Sequence, residues 1–271
     1  YKQGLPTHTQ RYVYVLYTSD VNFLGIFFVR KMLEVCIDSL ESACNALGGG
    51  ADELEVCSSL AQGGLTPSAG LVKLILDKVP KVNVMLRCRG GSDFCYNKYE
   101  MDTMMADLNI FKQAGVERFV FGALTYDRYV DETNCRMVVE AAKPIPVTFH
   151  RAFDLCKSPE CAIDKIIDLG FDRVLTSGQR ASAGDPKAID LIKSLVKSHG
   201  HRIDVMPGAG INADNVKTFV DFGCKIVHGS CKMSKNLPKV ENNSLAMGTG
   251  DDSFFITDEN TVRKIKEIIN V

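Results

Sequence analysis

Leu33-Glu34-Val35-Cys36-Ile37-Asp38-Ser39 and Glu53-Leu54-Glu55-Val56-Cys57-Ser58-Ser59 are the two stretches on which the fold turns. Each is a short run of strand length that mixes apolar residues with carboxylates and then breaks into a polar loop. Successive side chains of a strand point to opposite faces. Leu33, Val35, Leu54 and Val56 then suit a helix layer, while Glu34, Cys36, Glu55 and Cys57 face the other way, toward the axis of a closed sheet. Outward from these stretches the same rhythm repeats. A run rich in Val, Ile, Leu or Phe gives way to a polar loop, then to a longer stretch of helical spacing closed by Gly or Pro. That alternation is the pattern of parallel strands joined by helices.

Strands are expected at 33–36, 53–57, 82–86, 118–121, 147–150, 173–176, 203–206 and 226–228. Helices are expected near 39–47, 68–79, 99–114, 132–142, 159–169, 187–198, 215–222 and 259–269. Gly48, Gly115, Gly170, Gly200 and Gly223 each follow an amphipathic run as a stop signal, and Asp258 suits the N-cap of the last helix. The units recur every 25–35 residues, roughly the length of one strand–helix step, and no second domain is evident, which favours a single (β/α)8 TIM barrel over an open doubly wound sheet. The segment 231–256 is read as a long final connection, a place where function or mobility concentrates.

The chain has 271 residues, enough for one such barrel, expected over 32–271. Residues 1–31 are read as an N-terminal extension, disordered or non-native, with a targeting or anchor segment as the other reading. Their apolar stretch is interrupted by Thr18, Ser19, Asp20 and Asn22, which suits neither a membrane span nor a signal peptide. The formal net charge is −1, so no basic surplus steers the chain to nucleic acid or to an anionic membrane, and neither is expected as a partner. Ten cysteines without a CxxC pair are too dilute for a disulfide scaffold. A reducing, cytoplasmic setting is expected, with the nucleus as the alternative.

Chemistry collects at the carboxyl ends of the expected strands, where barrels carry their sites. A carboxylate facing the axis is costly unless paired, so Glu34 and Glu55 on neighbouring strands ask for a purpose. Arg87, Arg89, His150, Arg151, Asp154, Thr176, Ser177 and His228 stand at other strand ends as partners. The plainer reading is an ion-pair network that only neutralises itself. Cys36 and Cys57 close neighbouring strands about 4.8 Å apart. Soft thiolates select Cu(I) or Zn, and two suit low-coordinate Cu(I) better than a four-ligand structural zinc site. Spacing alone equally allows two buried, inert cysteines. Gly208, Gly210 and Ser230 follow the last two strands, where backbone amides cradle anions, although such glycines also serve tight turns.

Eight strings carry a resemblance: LEVCIDS (33–39), GGAD (49–52), LEVCS (54–58), GGLTPS (63–68), RCRGGSDF (87–94), VTFHRAFD (147–154), RVLTSG (173–178) and MPGAGI (206–211). Together, and in this order, they resemble the CutC family over nearly the whole domain. The resemblance implies a cytosolic barrel that serves copper homeostasis and self-associates as a homo-oligomer. The family's Cu(I) ligands fall on Cys36 and Cys57, and its polar mouth residues on Glu34, Glu55, Arg87, Arg89, His150, Arg151 and Asp154. The chain departs from the family in having Cys88 in place of Pro and Ser92 inserted ahead of Asp93, which puts the placement of Arg89 and Asp93 in doubt. Cys88 and Cys95 add thiols near the mouth.

Two functions are thus expected to compete. One is a Cu(I)-binding protein acting through Cys36 and Cys57, with the copper ion as partner. The other is an isomerase or lyase acting on a small anionic or phosphorylated metabolite. In it Glu34 or Glu55 is the base, His150 the acid, Arg87 a bidentate holder, and Gly208, Gly210 and Ser230 an anion cradle. A scaffold with a degenerate pocket is the weakest of three readings.

Overall fold

A computed structural model describes residues 30–79, 81–236 and 253–270. The expected extension lies outside the described residues up to position 29. Eight parallel strands form the barrel: β1 (Met32–Ile37), β2 (Glu53–Val56), β3 (Val82–Met85), β4 (Arg118–Phe121), β5 (Val147–Phe149), β6 (Arg173–Thr176), β7 (Asp204–Pro207) and β8 (Ile226–Gly229). They hydrogen-bond in the order β7-β6-β5-β4-β3-β2-β1-β8, and β7 lies beside β8, so the sheet curls into a nearly closed ring. Helices α1 (Leu40–Gly48), α2 (Ala69–Leu76), α3 (Lys98–Ala114), α4 (Glu132–Ala142), α5 (Pro159–Asp168), α6 (Pro186–His199), α7 (Val216–Asp221) and α8 (Glu259–Ile269) follow the strands. None of the described helices is long and apolar enough to cross a membrane.

The elements form where local chemistry directs them. Asn97 opens α3 with a capping box, its side chain accepting from Glu100 N while Glu100 reaches back to the Asn97 amide. Asp258 caps α8 through Asn260 and Thr261. Gly115 ends α3 in the left-handed conformation that a residue without Cβ adopts at no steric cost. Outward-facing Leu33, Val35, Leu54, Val56, Phe119, Phe121 and Phe149 bury against the helices in one continuous core.

The interior is not uniformly apolar. Two small clusters stand on opposite sides, Cys57 with Met85 and Val120, and Leu175 with Met206 and Ile226. Between them lies a polar layer. Arg173 on β6 reaches across to Glu53 at 2.8 Å and Glu34 at 3.3 Å, and Asn83 donates to the same two carboxylates. Strand register explains the layer: Glu34 lies level with Glu53 on one side and with His228 on the other, and Glu55 lies level with Asn83.

The structure differs from the expected elements at His150 and in the segment 231–256. His150 does not end β5; it opens a 3-10 turn (Arg151–Leu155) and caps it by accepting from Ala152 N. The segment 231–256 is more than a connection. Its ends form an antiparallel hairpin, β9 (Lys232–Asn236) with β10 (Ser253–Thr257), standing over the barrel mouth. Lys232 and Lys235 lie over the rings of Phe255 and Phe254.

Arg173 carries the charge balance of the inner layer. Arg173→Met is expected to cost about 3–5 kcal/mol in urea unfolding, because it strands buried carboxylates. A loss well under 1 kcal/mol would mean that those carboxyls are protonated and need no cation.

Candidate functional site

At the carboxyl ends of the strands a cavity of about 1000 Å³ opens under the hairpin. Two walls of it carry chemistry.

The first wall is built by β8, β1 and β2. Cys36 lies level with Glu55 in the β1–β2 register, and both face inward, as expected. His228 comes from β8. Its Nδ1 is 2.8 Å from Glu34 Oε1, and its Nε2 is 3.7 Å from Glu55 Oε2. The Cys36 thiol, a Glu55 oxygen and a His228 ring nitrogen lie within 4.8 Å of one another, all three residues buried. The group therefore offers one sulfur, one nitrogen and one oxygen to a metal ion. Glu34 stands behind it as the carboxylate that fixes the imidazole, an arrangement that sets the ring's orientation and its ligand basicity. This donor set fits a soft or borderline ion.

Charge is sharply distributed here. Burial would raise the Glu34 carboxyl, but His228, Arg173 and Asn83 outweigh it and hold it at about 2. Burial resists charge on His228, yet Cys36, Glu55 and Glu34 outweigh that and raise the imidazole well above its usual range. Glu55 is pushed up to about 7, chiefly by burial and further by Glu34, with His228 opposing. Of the two carboxylates expected as a base, Glu34 is fully engaged, whereas Glu55 keeps Oε1 without a partner. Cys57 lies outside the three-residue group. It is wholly buried, its thiol donates to Glu55 Oε2 at 3.6 Å, and burial with Glu55 drives its pKa well up.

The second wall comes from β3 and β5. Arg87 is buried and donates to the carbonyls of Gln62, Gly64 and Gly91. His150 lines the same space with its Nε2 unpartnered, and burial, then Arg87, hold the ring at about 3, so it is neutral. What the geometry offers at His150 is a hydrogen-bond donor rather than a store of protons. Asp154 accepts from Thr176, Ser177, Gln179 and Arg151, which makes it a clamp for the loop after β6.

The remaining expected residues scatter. Gly210 and Ser230 line the cavity. Gly208 does not, and its amide is used on Thr176 O; a Cβ there would stand 2.5 Å from Leu175 Cδ1. Arg89 pairs with Asp93 and Glu100, away from the cavity lining, and neither Cys88 nor Cys95 lines it. All ten cysteines are free thiols. The sequence reading passed over Glu53, Asn83 and Arg173; the signal for Glu53 was present, since it shares the inward parity of Glu55.

Comparison with known proteins gives one consistent result. The model of the CutC family matches residues 31–233. A copper homeostasis protein cutC homolog of Caenorhabditis elegans is 45% identical over 224 residues, 81% of this chain and 87% of that protein. The Homo sapiens protein of the same description is 41% identical over 244 residues, 88% of each chain. The crystal structure of CutC from Streptococcus agalactiae superposes with a TM-score of 0.69 at 32% identity, covering 74% of this chain and 98% of that one.

The raised Glu55 carboxyl gives a signed expectation. Folding takes up a proton at Glu55 between its ordinary 4.5 and about 7, so stability falls as pH rises through that window and stays low above it. Glu55→Gln should therefore raise the thermal midpoint relative to the unaltered chain near pH ~8, and change it little below pH 4.5. Equal shifts at both pH values would show that Glu55 ionises normally in the fold.

Proposed function

This chain belongs to the CutC family, and on that premise we propose that it serves copper homeostasis by holding Cu(I) as cargo at the barrel mouth. The observation that carries the reading is the convergence of Cys36, Glu55 and His228 on one point of the cavity. Cu(I) is soft and prefers sulfur and imidazole over carboxylate. Cys36 and His228 Nε2 are then the first ligands, and Glu55 a neighbour. Cys57, hydrogen-bonded to that same Glu55, is the second thiol, available once it has lost its proton. Cys36 lines the cavity, which supports exchange of the ion through the mouth. A reducing cytoplasmic setting accords with ten free thiols.

A second reading is favoured by a different observation: Glu55 and His150 line the same cavity, and each keeps a buried polar atom, Glu55 Oε1 and His150 Nε2, without a partner among the described residues. It is acid–base chemistry on a small anionic metabolite, with Glu55 as base, Arg87 as the cation, and Gly210 and Ser230 on the rim. A general base is most effective with a pKa near the working pH.

The test is an anaerobic titration of the reduced chain with Cu(I) against a competing chelator. About one tightly held Cu(I) per chain is expected, lost in Cys36→Ser, weakened in Cys57→Ser and kept in Glu55→Gln. Because binding displaces protons from thiol and imidazole, apparent affinity should rise with pH. Unchanged binding in the Cys36→Ser/Cys57→Ser double variant would remove copper from this site.

A further inference from the structure

His150 is held more firmly than a core histidine needs to be. Its Nδ1 accepts Ala152 N–H at 3.2 Å. The rings of Phe94, Phe149 and Phe121 surround it at centroid distances of 4.9, 6.2 and 6.5 Å. At Gly122 a Cβ would stand 2.6 Å from Nδ1, so only glycine leaves space for the ring. With Nδ1 accepting, the single proton of the neutral imidazole is assigned to Nε2. His150 lines the cavity, and this buried N–H has no partner among the described residues. Leaving a buried donor unmet is costly, so the fold maintains it at a price in stability.

Arg87 packs against the same Phe94, its guanidinium 5.1 Å from the ring centroid. Carbonyl groups of Gln62, Gly64 and Gly91 take three of its N–H groups and fix its orientation without neutralising it. A guanidinium carries five donors, so two remain. Among the described residues no carboxylate forms an ion pair with Arg87, although it is 5% exposed. One neutral donor and one unneutralised cation thus contact the same aromatic ring on one wall.

We propose that this wall is a subsite for the carboxylate of a small organic acid, one oxygen taken by His150 Nε2–H and the other by the remaining N–H groups of Arg87. The charge of the wall selects the ligand. A carboxylate has one charge and two oxygens to satisfy, which is what the wall supplies. A phosphate dianion brings a second charge, which the single cation of this wall does not balance, and Asp38, Glu55 and Asp154 add carboxylates to the same cavity lining. The subsite rests on the second reading above for the charge of its ligand, and it is independent of copper at Cys36.

The test uses the full, reduced, metal-free chain with histidine ring nitrogens labelled, titrated with pyruvate, with its neutral analogue pyruvamide, and with inorganic phosphate. Pyruvate should move the His150 Nε2–H resonance saturably and pyruvamide should not. In His150→Phe and Arg87→Gln pyruvate binding, read on the ligand's own signals, should weaken at least tenfold. Because Arg87 also ties loops together, the resonance shift in the unaltered chain decides the matter if that variant fails to fold. Saturable binding of phosphate but not pyruvate would overturn the carboxylate assignment and leave an anionic metabolite standing. Pyruvamide binding as tightly as pyruvate, or no shift with any probe, would overturn the subsite.

Discussion

Arg173 and His228 have to be in place before a barrel can close around Glu34, Glu53 and Glu55. Removing a carboxylate from water without a partner costs several kcal/mol. The chain meets that demand by aiming Arg173 at Glu34 and Glu53, and His228 at Glu34 and Glu55. The same contacts organise the chemistry. Because Glu34 occupies Nδ1 of His228, the other ring nitrogen faces Cys36 and Glu55. Stability and site therefore share atoms, and a change made for one is felt by the other.

The cavity divides by ligand preference. Its β8–β1–β2 wall presents sulfur and imidazole, which suit a soft metal ion. Its β3–β5 wall carries Arg87 and His150, whose N–H groups suit oxygen acceptors. Glu55 stands between the two with one oxygen engaged by Cys57 and one left over.

Much of the fold is legible in the amino-acid sequence. The strands fall within a residue or two of their expected places, because runs of Val, Ile and Phe bounded by turn residues leave little choice of span. The inward aim of Glu34 and Glu55 follows from the two-residue period of a strand. What escaped was partnership across the barrel. Arg173 opens its strand and reads as a polar flank, and only the closed ring carries it to Glu34, a residue 139 positions away in sequence. His228 could be listed but not placed, since its role depends on the pairing of β8 with β1. The β9–β10 hairpin escaped for a local reason. Lys232–Asn236 is polar and exposed, and its partner begins only at Ser253, so no tight turn announces it.

The pairing of β1 with β8 has a consequence for biosynthesis. Glu34 and His228 are 194 residues apart, and contacts so distant in the chain are slow to close because loop entropy must be met first. A nascent chain on the ribosome displays Cys36 long before His228 has been translated. During that interval the thiol is an ordinary cysteine with no imidazole beside it. The three-donor group of Cys36, Glu55 and His228 arises only when the ring shuts, so the act of closing the barrel is also the act of maturing the site.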